Sequence, residues 1–349
     1  MLHCKAPARI CFFGDHQDYL ALPVIAGAID RYFHIKGKGN TLGVFRIEFK
    51  DLGKRRTIDP SSDESVESGD FLRAALVVLA EKGCVFNTGY DLVFHSTIPI
   101  NAGLSSSSAM IVAWIRFLVA IQEEALVLSD AEIGRLAYAT EVGFFEGPGG
   151  LMDQFSIAQK GLRFIDTESG DTKRLTADLG VLIVAESGMA KKTLKVLQKA
   201  REYAEKAVAQ VKAKHPDFQL KHSEESDFDR YLPHVSKEYH DYWYAAIHNL
   251  NITRKACEQL QGPTPDIVRL GRLMIAHQTI LEQRIKNTPA AMSSMMRAAI
   301  DAGAVGSKII GSGGGGCMLA LTSPSLKTGV IDAFLAHGAA SAYEVNLSD

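Results

Sequence analysis

Residues Pro99–Ala109 read PINAGLSSSSA, and this stretch determines the fold prediction. Gly103 permits backbone angles that residues with a side chain avoid, and the serines Ser105–Ser108 then open an apolar segment that is typical of a buried helix. A helix amino terminus carries unpaired N–H groups and partial positive charge, so it binds anions, and hydroxyls add donors or a metal ligand. The segment therefore predicts a cradle for nucleotide phosphates and Mg²⁺. Simple N-capping, which needs only one serine, is the alternative.

A second glycine-rich segment, Gly311–Gly316 (GSGGGG), lies in the last part of the chain. It formally satisfies the dinucleotide fingerprint G-x-G-x-x-G, but that fingerprint opens a helix early in a βαβ unit. Here the strand-like run Cys317–Leu321 follows, so we exclude dinucleotide binding. The ordinary P-loop pattern GxxxxGK[ST] is absent as well. The segment either supports a phosphate loop from beneath or forms a tight hairpin, since glycines let two backbones approach closely.

The composition is typical of a globular protein of about two domains, with 349 residues, 46% of them hydrophobic and 22% charged. Lysine and arginine (38) nearly balance aspartate and glutamate (40), which argues against a nucleic-acid partner. The longest uncharged stretch, Ser96–Ile115, contains Pro99, Asn101 and four serines, which excludes a membrane span. The five cysteines are scattered without a CxxC pair, so we expect no disulfide framework, no zinc site and a cytoplasmic location.

Strand and helix patterns are interleaved without a strict βαβ rhythm, which favours an α+β fold. Strand patterns cover Arg9–Phe13, Arg31–Lys36, Thr41–Phe49, Tyr90–His95, Leu175–Val184, Lys308–Ile310 and Cys317–Thr322. Helical spacing covers Phe71–Lys82, a segment from Ser105 onward, Ser129–Phe144, Ala190–Lys214, Tyr242–Leu260, Pro265–Lys286 and Met292–Ala302. Ser129 and Glu132 predict a capping box. The polar residues 215–240 predict a surface excursion or a mobile lid.

Hydrogen-bonding side chains are concentrated early in the chain at Asp15, His16 and Asp18, between two apolar stretches. A polar turn accounts for such residues, because Asp and Gly favour turns. The same side chains form a suitable set of donors and acceptors for a polyhydroxylated ligand, with Arg9 just upstream as a permanent cation. Residue chemistry alone supports both interpretations.

A single acid, Asp153, follows the paired glycines of GGLMDQ (149–154), an arrangement that delivers a side chain into a cleft by a turn. Twelve positions earlier, Glu141 lies on the helix predicted for Ser129–Phe144, where it can face a metal ion. Aspartate is also a common helix N-cap, so a capping role for Asp153 is the alternative.

Together, three segments resemble the motifs of the GHMP kinase superfamily, in the family's order. Lys5–Asp30 resembles the first motif, Pro99–Ala109 matches the phosphate loop P-x3-G-L-S-S-S-x-A, and Lys308–Leu321 (KIIGSGGGGCMLAL) resembles the glycine-rich third motif. The resemblance implies the two-domain GHMP kinase fold. Its parts are an ATP-binding domain like domain 2 of ribosomal protein S5 over residues 1–170, and a ferredoxin-like domain over residues 171–349.

Within the superfamily, the chain most resembles galactokinases. GGLMDQFS (149–156) is similar to their CGIMDQF segment, and Gly14–Tyr19 corresponds to their G-E-H-x-D-Y motif. Asp15 replaces the usual glutamate, which shortens the reach to a sugar hydroxyl by one methylene group. The short spacing from His16 to Pro23 instead resembles mevalonate kinase. The resemblance implies phosphoryl transfer from ATP to an alcohol, with the anomeric hydroxyl of a monosaccharide as the expected acceptor.

The resemblance also assigns roles to individual residues. It implies that the ATP phosphates contact Gly103, Leu104, Ser105, Ser106, Ser107 and Ser108, together with Gly313 and Gly314. It implies that Ser107 or Ser106, with Glu141, holds Mg²⁺. Asp153 is expected to accept the substrate proton, while Arg9 stabilises the developing charge and keeps Asp153 ionised. Asp15, His16, Asp18 and Gly150 are expected to contact the sugar.

Two other functions are compatible with these residues. Within the superfamily, the alternative is a mevalonate kinase or a kinase for a uronate or a heptose phosphate, although the acids and amide near Asp15 favour a neutral acceptor. From another class, the alternative is a non-catalytic sensor of sugar and ATP, which needs no base such as Asp153. Lys191 and Lys192 either guard the mouth of the cleft or begin a solvated helix. Both a monomer and a homodimer are compatible with the sequence.

Overall fold

The computed structural model describes residues 1–100, 102–124, 126–190 and 193–349, which form two sheets with packed helices. The strands are β1 (Leu2–Phe13), β2 (Val24–Asn40), β3 (Phe45–Phe49), β4 (Lys54–Ile58), β5 (Gly89–Ser96), β6 (Leu162–Ile165), β7 (Thr172–Leu175), β8 (Val181–Glu186), β9 (Gly306–Ile309), β10 (Cys317–Thr322) and β11 (Ser341–Val345). The helices are α1 (Phe71–Ala80), α2 (Ser106–Ala120), α3 (Asp130–Tyr138), α4 (Met152–Gln159), α5 (Thr193–Lys214), α6 (Asp227–Tyr231), α7 (His240–Gln259), α8 (Ile267–Ile280), α9 (Ala290–Asp301) and α10 (Lys327–Ala336). The α+β prediction is confirmed.

The first sheet has the order β4-β3-β5-β2-β6-β7, and β1 pairs with β2. Buried and exposed residues alternate along β3, as expected for a sheet with one covered face. Helix α2 packs on β1 and β2, and its Trp114 and Phe117 are fully buried. The backbone N–H of Arg9 on β1 donates to the carbonyl of Leu104, just before α2. The core packing therefore brings the amino end of α2 beside β1.

The second sheet is antiparallel throughout, with the order β11-β8-β10-β9. All residues of β10 are buried, helix α8 packs against β9, and α9 packs against α10. The glycine-rich segment is the connection between β9 and β10. It is therefore a link between two strands, and the dinucleotide interpretation that we excluded would have required a helix after it.

The two sheets are connected by more than the chain between β7 and β8. Ile29 on β2 forms an isolated bridge with Leu347, and the Asp30 N–H donates to the Asn346 carbonyl at 3.0 Å. Strand β7 belongs to the first sheet and lies past residue 170, where we expected the first domain to end. The division of the chain near residue 170 stays a prediction.

Residues 215–240, for which we expected a surface excursion or a mobile lid, form short helical turns, including α6, and most of these residues are exposed or partly exposed. Phe218, Leu220 and Val235 are buried in a cluster that includes Trp243 of α7 and Val211 of α5. Buried apolar packing of this kind is typical of stable structure and not of a mobile lid. The few apolar residues of this segment are separated in sequence by many polar ones. The average composition of the segment therefore does not reveal that its apolar side chains pack into the same cluster.

Several local predictions are tested by the element bounds. The capping box of Ser129 and Glu132 is confirmed at the start of α3. Strand β3 begins only at Phe45, because Gly43 adopts a left-handed turn conformation with φ of 71°. The strand predicted over Leu175–Val184 is instead the end of β7 and the start of β8. None of the described helices has the length and apolar character needed to cross a membrane, and Cys4, Cys11, Cys84 and Cys257 are free thiols.

Candidate active site

The amino end of α2 follows a turn with two residues in the left-handed backbone region. Gly103 has a φ of 86° and Ser105 a φ of 57°. A non-glycine residue in this region is strained, and such strain often occurs at functional sites. The Ser105 side chain does not cap the helix, so the first N–H groups of α2 keep their capacity to bind an anion. The N-cap alternative for this serine is therefore wrong.

Arg9 and Asp153 form an ion pair with two hydrogen bonds beside this turn. The guanidinium Nε donates to Oδ1 of Asp153 at 2.7 Å, and Nη2 donates to Oδ2 at 2.9 Å. Nη1 donates to the Gly103 carbonyl at 2.7 Å, and the Ser105 hydroxyl donates to Asp153. Arg9 is only 4% exposed, so these charge-assisted bonds are little screened by water. The structure therefore brings the predicted acid, cation and serine turn together.

Glu141 lies in a single π-helical turn, Ala139–Gly143, that continues α3. Such turns are rare and occur frequently at functional sites. The Ser107 hydroxyl donates to Oε1 of Glu141 at 2.8 Å, and the Gln154 amide donates to Oε2 at 2.7 Å. Burial raises the pKa of Glu141, against the opposing hydrogen bonds from Ser108, Gln154 and Ser107. A hydroxyl and a carboxylate are thus held together at the cleft.

The glycine-rich link passes directly beneath the serine turn. The Cys317 N–H donates to the Ala102 carbonyl at 2.8 Å, one residue before Gly103. A Cβ on Gly316 would lie 2.7 Å from the same carbonyl oxygen, which leaves no room for a side chain. Gly316 also has a φ of 89°, a conformation that favours glycine. Of the two sequence interpretations, support of the phosphate turn from beneath is the one that the packing agrees with.

Asp15 and Lys308 form an ion pair at the bottom of the cleft, with both side chains 0% exposed. The ammonium group lies 2.5 Å from Oδ2 of Asp15 and also donates to the Cys11 carbonyl. Oδ1 of Asp15 accepts from the Gly311 N–H at 2.6 Å. Burial is the largest single influence and opposes ionisation, but the charges of Lys308 and His277 and the hydrogen bonds from Lys308 and Cys11 together outweigh it and lower the pKa of Asp15. Both carboxylate oxygens therefore have partners within the protein, whereas we expected this carboxylate to contact a sugar.

His16 connects the first motif (Lys5–Asp30) with the glycine-rich third motif (Lys308–Leu321). Its Nε2 lies 3.0 Å from the Ser312 carbonyl and its Nδ1 lies 3.1 Å from the Tyr19 hydroxyl. The Asn287 amide donates to the same Ser312 carbonyl at 3.1 Å. His16 is 7% exposed and borders the cleft. The His16 ring therefore links the first motif to the third motif by hydrogen bonds.

Asp18 is the acid of the first motif that faces open space in the cleft. Burial raises the pKa of Asp18 to about 7, and the neighbouring carboxylate of Asp153 adds to the effect. Gly150 lies against it, since a Cβ there would be 2.6 Å from the Asp18 Cβ. The carboxyl group is close to half-protonated at neutral pH, so it can donate or accept a hydrogen bond.

The residues described above surround one cleft of about 380 Å³. Most of the predicted site residues line it: Arg9, Asp15, His16, Asp18, Gly103, Ser105, Ser106, Ser107, Ser108, Glu141, Gly150 and Asp153. Leu104 does not, because its side chain is fully buried in the core. Gly313 and Gly314 also lie outside the lining and pack against Asn287.

Several residues in or next to the cleft were not predicted as site residues from the sequence. Gly311 and Ser312 of the third motif line the cleft. Lys308 and Asn287 do not line it, but they bond to Asp15 and to the Ser312 carbonyl, which do. Gln154 follows Asp153 directly in GGLMDQ, and that adjacency was the one available signal for it. Lys191, Lys192 and Asn101, to which we gave roles or a place in a motif, lie outside the described residues.

Comparison with known proteins identifies the family to which this chain belongs. The model of the GHMP kinases N terminal domain matches residues 70–161, and the model of the GHMP kinases C terminal matches residues 253–340. The chain is 28% identical over 330 residues to the mevalonate kinase of Thermococcus onnurineus, across 91% of this chain and 88% of that one. It is 26% identical to the galactokinase of Streptococcus suis, across 90% and 83% of the two chains.

A solved structure shares the whole architecture. Lactococcus lactis galactokinase complexed with galactose superposes with a TM-score of 0.85 at 18% identity, across 99% of this chain and 93% of that one. At this identity the likeness shows the fold. The two family models together cover about half of the chain and include strands of both sheets. The chain therefore belongs to the GHMP kinase family and is a phosphotransferase that acts on an alcohol group.

Proposed function

We propose that this chain transfers the γ-phosphoryl group of ATP to a hydroxyl of a neutral monosaccharide, in the manner of a galactokinase. One observation carries the proposal: Asp153 accepts a hydrogen bond from Ser105 at the amino end of α2, while Arg9 joins it to the Gly103 carbonyl. A base that prepares an alcohol and a helix end that binds phosphates are thus in contact. Phosphoryl transfer depends on such positioning and on charge neutralisation.

Each residue of the cleft has a separate task in this proposal. The N–H groups at the start of α2 and the Ser106 hydroxyl bind phosphate oxygens. Asp153 accepts the proton of the acceptor hydroxyl as that oxygen attacks phosphorus. Arg9 holds the carboxylate in position and places a permanent positive charge near the transferred group.

We assign Mg²⁺ binding to Ser107 and Glu141. Their oxygens lie 2.8 Å apart, and hydroxyl and carboxylate oxygens are the hard ligands that Mg²⁺ prefers alongside its waters. The donor set therefore fits this ion. When bound, Mg²⁺ neutralises charge on the phosphates of ATP.

A neutral acceptor is favoured because the cations of the cleft already have partners. Among the described residues, Arg9 pairs with Asp153, and Arg201, which lines a neighbouring pocket that shares Asp18 and Gly150 with the cleft, pairs with Glu205 at 2.7 Å. A carboxylate or phosphate on the acceptor would need a cation of its own. The carboxyl group of Asp18, which lines the cleft, instead suits sugar hydroxyls, which both donate and accept hydrogen bonds.

Mevalonate is the second candidate acceptor. A relative at 28% identity is the mevalonate kinase of Thermococcus onnurineus, and only three residues separate Tyr19 from Pro23, as in mevalonate kinases. The structure closes this short connection with a helical turn, Asp18–Leu20, and with Ala21 in the left-handed region at a φ of 56°. A neutral monosaccharide remains the first candidate acceptor, because Arg9 and Arg201 are already paired with Asp153 and Glu205.

The test is ADP release from Mg²⁺–ATP over a panel of galactose, glucuronate, arabinose, mannose, a heptose and mevalonate. We expect turnover with a neutral sugar and none above background with mevalonate, and Asp153→Asn supplies the background. Turnover with mevalonate alone would overturn the proposed acceptor. If the chain bound ATP but released no ADP with any acceptor, the non-catalytic sensor would replace the kinase. We also propose a cytoplasmic location, because the cysteines are scattered without a CxxC pair and thiols stay reduced there.

A further inference from the structure

The buried side-chain amide of Gln154, next to the proposed catalytic acid Asp153, has an oxygen without a hydrogen-bond partner among the described residues. Gln154 follows Asp153 on α4, lines the cleft and is 2% exposed. Its Nε2 donates to Oε2 of Glu141 at 2.7 Å. Its Oε1 is buried and has no hydrogen-bond partner among the described residues. A buried acceptor without a partner costs folding free energy, so its retention at a cleft points to a ligand.

The orientation of this amide is determined by its neighbour. Rotating the amide by 180° would place Oε1 against the carboxylate oxygen of Glu141, and two acceptors repel each other at that distance. The amide nitrogen must therefore face Glu141, and the oxygen must face away from it. The contact with Glu141 therefore determines which amide atom lacks a partner, and that atom is Oε1.

The amide and a serine hold the Glu141 carboxylate from its two sides. Ser107 donates to Oε1 and Gln154 donates to Oε2, so neither oxygen can rotate without breaking a bond. Amide and carboxylate oxygens are the hard acceptors found around Mg²⁺, either as ligands or as partners of its bound waters. Groups that orient a metal ligand strongly affect metal affinity.

We propose that Gln154 is a positioning residue for the divalent cation: its Nε2 fixes Glu141, and its Oε1 accepts a hydrogen bond from a water on the cation of the bound nucleotide. The proposal rests on the proposed kinase function and adds to it a residue that neither the sequence analysis nor the comparisons assign. Gln154 does not contact the reacting atoms. It acts on the cation and on the carboxylate that holds it.

The test measures cation binding directly. Mn²⁺ affinity is determined by electron paramagnetic resonance for the full chain with a non-hydrolysable ATP analogue. Gln154→Leu should weaken Mn²⁺ binding at least tenfold, while analogue binding without cation stays within twofold of wild type. In activity assays, kcat of this variant should recover as Mg²⁺ is raised, which a general loss of structure would not allow.

A matched control lies on the same helix. Gln159 also has a buried amide atom without a partner among the described residues, but it does not line the cleft. Gln159→Leu should therefore leave Mn²⁺ affinity unchanged. If Gln154→Leu does not fold, Gln154→Asn withdraws the amide from Glu141 by one methylene group, and at least a fivefold loss is expected.

Two results would overturn the inference in distinguishable ways. Wild-type Mn²⁺ affinity in folded Gln154→Leu or Gln154→Asn removes Gln154 from cation binding and leaves the kinase proposal intact. A wild-type chain that binds no Mn²⁺ with the nucleotide analogue overturns both proposals together.

Discussion

The guanidinium of Arg9 holds the carboxylate of Asp153 by two hydrogen bonds across 144 residues of sequence. The same guanidinium bonds to the Gly103 carbonyl at 2.7 Å, so the position of the acid is coupled to the turn before α2. Bidentate pairs of this kind restrict both distance and orientation. The chain thereby aligns an acid with the helix end that we propose to bind phosphates, and reaction rates depend strongly on such alignment.

The raised pKa of Asp18 predicts how stability changes with pH. An unfolded aspartate titrates near 3.8, whereas burial and then Asp153 raise the pKa of Asp18 to about 7 in the folded chain. Between these values the folded state binds more protons than the unfolded state, so this group makes stability fall as pH rises from about 4 to 7. Asp18→Asn should remove that loss and stabilise the protein at pH 8 by roughly 2 kcal/mol.

Thermal unfolding of both proteins at pH 5 and pH 8 checks this prediction. The midpoint difference between Asp18→Asn and wild type should be larger at pH 8 than at pH 5. A difference that is equal at the two pH values, or larger at pH 5, would mean that Asp18 is ionised throughout this range.

The buried pair of Asp15 and Lys308 predicts strong coupling in stability. Removing one partner leaves an uncompensated buried charge, so Lys308→Met should cost about 3–5 kcal/mol of unfolding free energy. Adding Asp15→Asn to Lys308→Met should recover part of that loss, because no charge is then left alone. Urea denaturation of the two single variants and the double variant gives the coupling energy. Purely additive losses would show that the two groups do not interact in solution.

The contact of Gly150 with Asp18 predicts an effect on the acceptor alone. An alanine Cβ at position 150 would lie 2.6 Å from the Asp18 Cβ, so the Asp18 carboxyl must move. We expect Gly150→Ala to raise the acceptor KM about tenfold and to change the ATP KM by less than about twofold. Gly149→Ala is the control, because its Cβ would meet only Val142 at 3.4 Å, an ordinary contact. Equal effects of the two alanines on the acceptor KM would contradict this account.

Sequence patterns were sufficient to predict those parts of the site whose residues lie close together in the chain. Gly103 and the serines after it share one short segment, and Asp153 follows a glycine turn, so their chemistry is apparent from neighbouring residues. The structure places Asp153 in hydrogen-bond contact with Ser105, which the resemblance implied but spacing alone did not.

The contacts that sequence patterns did not predict are long-range. Lys308 meets Asp15 across 293 residues, and no local pattern indicates that this carboxylate is neutralised inside the protein. The burial of the apolar residues in 215–240 was not predicted either, because these side chains are buried only by packing against α5 and α7. The π-helical turn around Glu141 was also missed, because the helical periodicity of Ser129–Phe144 predicts a regular helix there.

In the proposed mechanism, Asp153 accepts the proton of the acceptor hydroxyl beside a separately formed nucleotide site. The decisive variant is Asp153→Asn, with turnover measured at saturating sugar and ATP and with nucleotide binding measured by calorimetry on the same sample. We expect turnover to fall by roughly 10²-fold or more, with nucleotide affinity within about threefold of wild type. Near-normal turnover in a variant that binds the nucleotide normally would contradict the proposed mechanism.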